Sequence, residues 1–417
     1  MGGTKPQTQA PAPAAPPVQA PPPPSAPAPA PSPRVDVQPL PPPAGFPPPS
    51  LSADKEQVRA ALLVPLSGQF ESSGRAMVNA AQLALFDIAD ERFNLIPIDT
   101  RGTAEGAAAA ARQALAQGAD IVLGPLFSHE VRAAGPLVRE QDVPMLAFTT
   151  DRAAVGNGVY ALGILPRTQV ERVVAHARSQ GRERIALLAP ANDYGQAVAE
   201  ALKGAVLATG AQLVKAEFYD PNAHDHTQVV KRFTEYDARI RHRGPDGQEP
   251  AAPAPFDAVL IPDSGTRLRT VAALVTYYEV DPTAVKFLGT LLWNDPRLAR
   301  EAALEGGWYP APPTADHEDF ALRYARSFGA FPSAQLGSVA SLAYDATALA
   351  ATLARQGHGD YPADALTSPS GFAGVDGIFR LLPDGTSERG LAVREIARGG
   401  SREIDPAPQA FTQPPRM

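Results

Sequence analysis

The 417-residue sequence contains no cysteine. Disulfides, thiolate nucleophiles and zinc–thiolate sites are therefore excluded. That absence leaves the compartment open, because envelope proteins of this size can do without disulfides. Long apolar runs are also missing: no stretch of about 18 apolar residues is present, so no segment reads as a membrane-spanning helix. Positive charge is the scarcer sign, 37 Lys and Arg against 44 Asp and Glu, for a net charge of -7. This argues against a generic polyanion binder, nucleic acid included. Motifs of common catalytic chemistries are lacking too, with no GxSxG, HExxH, Walker loop or GxGxxG. The opening Met1-Gly2-Gly3-Thr4 carries no basic-then-apolar leader pattern, so no signal peptide is read there.

What is abundant is proline, 46 in all, crowded into the first fifty residues among Ala, Gln and Ser. Such sequence cannot bury a core. Residues 1–56 are expected to form a disordered Pro/Ala-rich tether, extended at about 3.1 Å per residue in polyproline II conformation. Composition alone leaves open whether it is an inert tail or a spacer from an anchor.

From residue 57 the pattern is that of a folded α/β protein, long enough for two or three domains. An apolar run at 58–64 is closed by Pro65-Leu66-Ser67-Gly68. Val78, Ala81, Leu85 and Ile88 then recur at helical spacing. A strand at 94–99, an Ala-rich helix at 103–117 ended by Gly118, a strand at 121–123 stopped by Gly124-Pro125, a helix at 131–141 and a strand at 144–148 follow. The alternation predicts a parallel, doubly wound sheet. After an extended run at 159–165, ended by Pro166, the pattern restarts. It gives helices at 170–180, 197–209, 227–240 and 267–278, strands at 184–188, 212–219, 256–261 and 286–289, and a Pro/Gly/charged surface loop at 241–255. A short strand at 306–310 and helices at 317–328 and 338–354 come next. Runs at 371–382 and 390–396 read as hairpin strands around Pro383-Asp384-Gly385. The result is two α/β lobes plus a late segment that fits either.

In open α/β sheets, ligands sit beyond the carboxyl ends of the strands. The strand ending at Gly124-Pro125 leads into Phe127 and Ser128 at the start of a helix, which places a ring, a hydroxyl and free backbone N–H groups at such a spot.

The order of elements, together with several local motifs, resembles the type I periplasmic binding proteins of the leucine/isoleucine/valine-binding kind. The motifs are Val64-Pro65-Leu66-Ser67-Gly68 with Gly74, Gly124-Pro125-Leu126-Phe127-Ser128, Pro144-Met145-Leu146-Ala147-Phe148-Thr149, Asp193-Tyr194-Gly195 and Ala343-Tyr344-Asp345-Ala346. Gly289-Thr290-Leu291-Leu292-Trp293-Asn294-Asp295-Pro296, followed by Gly306-Gly307-Trp308-Tyr309-Pro310, is most similar to the penicillin-binding protein activator lipoproteins within that group. The resemblance implies two doubly wound lobes joined by three crossovers, near 160–166, 308–313 and 366–372. Lobe 1 is then 57–162 with 311–365, lobe 2 is 163–310 with 366–398, and 399–417 is a C-terminal tail. It also implies lipid attachment through a first mature cysteine, in whose place Met1-Gly2-Gly3 would stand here.

The residues this places at the cleft are Ser67, Phe70 and Ser73 in the first loop, Phe127 and Ser128, Thr149 and Thr150, Asp193 and Tyr194, Asp263 with Ser264, and Trp293 with Asn294. By the resemblance, Ser128 holds a ligand carboxylate; it fits a plain helix N-cap equally well. Thr149 and Thr150 could equally cap the turn before Arg152. Asp151 falls where amino-acid binders keep a carboxylate-gripping Thr, and its charge would repel such a ligand. Leu291 falls near where they keep an acid for the ligand amine. Both ends of an amino-acid clamp are thus altered. His224-Asp225-His226 lacks a third metal ligand and reads as a solvated loop. No catalytic residue, metal or cofactor is expected. The implied function is a non-enzymatic periplasmic protein, anchored to the outer membrane as a lipoprotein, that stimulates a peptidoglycan-synthesising penicillin-binding protein. The alternative is a solute-binding protein feeding an ABC importer for amino acids or related solutes. The expected partners are accordingly a small molecule in the interlobe cleft or a peptidoglycan synthase, with no nucleic acid and no membrane contact except through the lipid anchor.

Overall fold

The structure, a computed structural model, describes residues 1–2, 57–242, 249–332 and 334–411. The expected tether from residue 3 to 56, part of the loop at 241–255 and the end of the expected tail lie outside the described residues.

The first sheet contains β1 (Val58–Val64), β2 (Phe93–Asp99), β3 (Ile121–Leu123), β4 (Met145–Ala147) and β5 (Val159–Ala161), in the order β2-β1-β3-β4-β5 and all parallel. Helices α1 (Glu71–Ile88), α2 (Ala104–Ala116) and α3 (Ser128–Arg139) connect them. The central strands are buried along nearly their whole length, as expected where helices cover both faces of a parallel sheet. The pattern then repeats. Helix α4 (Pro166–Ser179) leads to β6 (Arg184–Pro190), α5 (Asp193–Thr209), β7 (Gln212–Tyr219), α6 (Thr227–Phe233), α7 (Tyr236–Arg239), β8 (Ala258–Leu260), α8 (Gly265–Tyr277), β9 (Lys286–Leu288) and β10 (Trp308–Ala311). Strands β7-β6-β8-β9-β10 reproduce the order of the first sheet. The chain continues through α9 (Thr314–Phe328), α10 (Ala334–Arg355), α11 (Ala363–Leu366), the hairpin β11 (Phe379–Leu381) and β12 (Ser387–Arg389), then β13 (Ala392–Ala397) and β14 (Gly400–Asp405).

Four sequence expectations are corrected. The helix expected over 227–240 breaks at Glu235, whose φ of 53° is left-handed. The turn that follows aims the buried Arg239 at the carbonyls of Thr234, Ala252, Tyr278 and Glu279. The hairpin strand that follows Pro383-Asp384-Gly385 is β12, not 390–396, because β13 pairs antiparallel with β10 instead. The expected tail at 399–417 contributes β14, the outer strand of the second sheet, beside β13. The third crossing is not at 366–372: Leu366, Phe372, Val375, Phe379 and Leu381 pack in the core of lobe 1 with β1, α1 and α10. The chain therefore passes between lobes at 162–165, 312–313 and 390–391.

Lobe 1 is held by α10 lying on α1. Ala343, Ala346, Ala350 and Ala351 of α10 and Ala76, Ala80, Ala81 and Ala84 of α1 belong to one buried cluster. Side chains this small let the two helices approach closely. Beneath them runs a buried polar network. Arg389 pairs with Asp345 at 3.0 Å, Asp345 accepts the Val375 N–H at 2.8 Å, and Asp376 accepts from Ser341 Oγ at 2.5 Å and contacts His317 Nδ1 at 2.9 Å. The network ties α9, which follows the second crossing, to β12, which precedes the third.

Burial pushes the Asp345 carboxyl up to about 6, against the opposing charge of Arg389. Burial would lower the proton affinity of His317, but the bond to Asp376 and its charge outweigh this and raise it. Both groups hold a proton more tightly folded than unfolded. The stability they contribute is therefore present below their ordinary values and is lost as pH rises through the folded ones. The urea-unfolding free energy of the wild type, relative to the Asp345→Asn/His317→Gln variant, is expected to fall from pH 5 to pH 8 by on the order of 1–3 kcal/mol. A relative rise would contradict this account.

Candidate functional site

All three crossings lie at the carboxyl edges of the sheets. β5 and β10 each leave their lobe at the carboxyl end, and β13 enters opposite the end of β10, with Ala392 beside Ala311. The carboxyl edges of both sheets are thereby brought to the same side of the crossings. These are the edges where open α/β sheets bind ligands.

On lobe 1, Asp99 organises the loop after β1. It accepts the Ser67 hydroxyl at 2.6 Å and the N–H groups of Leu66 and Arg101, each at 2.8 Å. Burial opposes ionisation of Asp99, but these donors together hold its carboxyl below the usual range. Phe70 and Phe127 meet at 4.5 Å, and the His129 ring stacks parallel to Phe127 at 5.6 Å. Gly102 lies against this row: its φ is 68°, a Cβ there would come within 2.8 Å of Phe70, and its carbonyl bonds His129 Nε2 at 3.1 Å.

Ser128 is the first residue of α3, not its N-cap; Phe127 holds that position. The Ser128 hydroxyl makes no hydrogen bond among the described residues, so the capping alternative does not apply to it. Thr149 does cap its turn, its Oγ1 accepting the Asp151 N–H at 3.0 Å, while Thr150 is exposed. The Asp151 carboxylate accepts the Ala153 N–H at 2.9 Å and pairs with Arg132. The repulsion expected from a bare Asp151 is therefore offset by Arg132.

On lobe 2, Asn192 caps α5 through the Gly195 N–H at 2.8 Å, leaving Asp193 exposed in the first turn, where the helix dipole favours its charge. Tyr194 donates to Thr290 Oγ1 at 2.9 Å, and burial pushes its phenol up to about 12. Gln169, in the first turn of α4, donates to Ile164 O and accepts the Leu291 N–H, both at 2.8 Å.

Two expected contacts prove to be internal. Trp293 has 0% exposure, its ring lies where a Cβ on Gly289 would approach to 2.0 Å, and its N–H bonds Ile261 O at 3.1 Å. Asp263 is 2% exposed and is occupied by Arg267, the Tyr219 hydroxyl and the Ser264 N–H. The exposed apolar side chain in this region is Leu292, at 40%. It lay unremarked inside the Gly289–Pro296 motif. His129, Thr290 and Gln169 were likewise missed; each lies in the loop or first helical turn that follows a strand. His226 is buried against the Tyr219 ring at 5.1 Å rather than solvated, and no metal-binding cluster occurs among the described residues.

Comparison with known proteins agrees with this architecture. The family described as periplasmic binding protein matches residues 57–401. A putative branched-chain amino acid ABC transporter protein of Rhodospirillum rubrum superposes with a TM-score of 0.70 at 20% identity, covering 84% of this chain and 100% of its own. A solute-binding protein of Rhodopseudomonas palustris solved with benzoate gives 0.55 at 15% identity, covering 84% of this chain and 97% of its own. The penicillin-binding protein activator LpoA of Vibrio cholerae is 30% identical over 146 residues, which are 34% of this chain and 24% of that protein. An uncharacterized protein of Rickettsia prowazekii is 19% identical over 232 residues, 56% of this chain and 60% of its own length. The chain thus spans less than two thirds of either of these two relatives.

Because Ser128 neither caps α3 nor bonds through its hydroxyl among the described residues, Ser128→Ala is expected to change stability by less than about 0.5 kcal/mol. Thr149→Val, which removes a turn acceptor, is expected to cost about 1 kcal/mol. Urea unfolding of the two variants distinguishes these roles; a loss of about 1 kcal/mol in Ser128→Ala would show that the hydroxyl is structural.

Proposed function

Because the chain belongs to the periplasmic binding protein family, we propose that it acts in the bacterial envelope by contact rather than catalysis, as an activator of a peptidoglycan-synthesising penicillin-binding protein. The observation that carries this reading is the engagement of three of the strand-end acids within the chain, Asp193 excepted. Asp99 is held by Ser67 and backbone N–H groups, Asp151 by Arg132 and Asp263 by Arg267. The loop after β9 offers Leu291 and Leu292 in place of an acid. A site so arranged has little left with which to grip the ammonium of a free amino acid. The local identity with the Vibrio cholerae activator supports the same direction. On this reading the two lobes present a docking surface in the periplasm, and the Pro/Ala-rich sequence before residue 57 is the spacer that joins them to a lipid anchor in the outer membrane.

One observation favours a second reading, a solute-binding protein serving an ABC importer. The free Ser128 hydroxyl beside the Phe70–Phe127–His129 row could hold a small ring-bearing or anionic solute.

The two readings separate in a reconstituted assay. Glycan polymerisation by a purified bifunctional penicillin-binding protein is expected to rise at least about twofold on adding this chain, with co-purification of the pair. No change in rate and no complex, together with a large thermal shift on adding a branched-chain amino acid, would replace the activator reading with the importer one.

A further inference from the structure

Beyond β14 the chain comes back to lobe 1 without joining either sheet. Its start is held on lobe 2, where Arg172 of α4 donates to Asp405 O at 3.3 Å and to Pro406 O at 3.1 Å. Ala407 is buried. Pro408 lies against Gly390 at the third crossing, where an added Cβ would come within 3.1 Å of its ring. The far end is held on lobe 1. The Phe411 ring lies over Gly371, whose added Cβ would approach it to 2.8 Å, and the Arg380 guanidinium carbon stands 4.4 Å from the ring centroid. Arg380 is 3% exposed and is itself fixed by Glu388 Oε2 at 2.7 Å and Pro369 O at 3.0 Å. A guanidinium withdrawn from water is attracted to the face of a ring. Phe411 therefore docks on an anchor that belongs to the body of lobe 1.

Residues 406–411 thus run alongside the third crossing, pinned to lobe 2 at one end and to lobe 1 at the other. Pro406 and Pro408 fix two of the backbone φ angles and stiffen the segment. From Asp405 to Phe411 the chain reaches about 20 Å at most. Rotation of two lobes about a hinge is absorbed by a few residues at the crossings. Here such rotation also moves Arg172 relative to Arg380, and a short, stiff segment joins the two. We infer that residues 406–411 are a strap that links the lobes beside the third crossing and holds them at one relative angle, and that release of Phe411 frees them to turn. Glu403 of β14 also accepts from Thr314 Oγ1 of α9 at 3.3 Å, but Thr314 directly follows the second crossing, where rotation displaces groups least. The strap sets the lobe angle whether the cleft meets a solute or a partner protein.

The test measures the distance between the lobes in the full chain. Because the sequence has no cysteine, Ala109→Cys on α2 and Ala197→Cys on α5, both exposed positions, give one spin label per lobe. Pulsed electron–electron double resonance of this labelled chain is expected to show a single narrow distance population. Adding Phe411→Ala is expected to broaden the population at least about twofold or to add a second one. A flexible Gly/Ser insertion between the exposed Gln409 and Ala410 keeps the docking contacts and lengthens only the span. It is expected to broaden the population in the same way, and it decides the matter even if Phe411→Ala fails to fold. It also separates a strap from a ring that merely packs, since packing alone does not depend on the length of the segment. A broad or two-population distribution without either change, or a folded Phe411→Ala or insertion variant as narrow as the parent, overturns the inference.

Discussion

A polar group taken out of water must find a partner within the chain or lose its charge, and the carboxyl edges of this protein are built under that constraint. Asp99, Asp151, Asp263, Thr149 and Tyr194 each sit at a strand end and each bond to a neighbouring loop, helix or turn. These bonds tie the strand-end loops to their neighbours. On the activator reading they also occupy groups with which a binding site would grip a charged amino acid. Among the described residues, the Ser128 hydroxyl and the exposed Asp193 stand outside the arrangement, while Glu130 accepts the Phe127 N–H and is faced by the Thr100 hydroxyl.

The same constraint operates at the crossings. Arg389, the last residue of β12, is buried against Asp345 immediately before the chain leaves lobe 1. Arg172 of α4 donates to Leu391 O at 2.6 Å just beyond that crossing and pairs with Asp405 at 2.8 Å, while His176 contacts the same carboxylate at 2.9 Å. The third crossing is thus bracketed by buried or half-buried ion pairs, one in each lobe. Breaking a buried pair costs far more than the pair contributes, since it strands a charge. Such pairs suit a passage whose path must be unique.

The repeated alternation of strands and helices was legible in the sequence because apolar runs and Gly/Pro punctuation mark each strand and its end; the spatial order of the strands was not. The positions of the site loops followed from the same signal. The directions of side chains did not. Trp293 lies at the predicted strand end, yet its ring folds back over Gly289, a packing that depends on contacts the local sequence does not encode. Asp263 is claimed by Tyr219, which lies on another strand. The third crossing was misplaced because Phe372, Phe379 and Leu381 are simply apolar and carry no mark of which core receives them. β14 escaped notice because Gly400-Ser401-Arg402-Glu403-Ile404-Asp405 is largely polar, as an outer strand with solvent on one side can be.

The central claim is that Asp99, Asp151 and Asp263 are spent on the protein itself and that what remains at the strand ends does not form a clamp for a free amino acid. Calorimetric titration of the purified chain with leucine at neutral pH tests it most directly. The account predicts no saturable heat up to millimolar ligand. A one-to-one isotherm with micromolar affinity would contradict it.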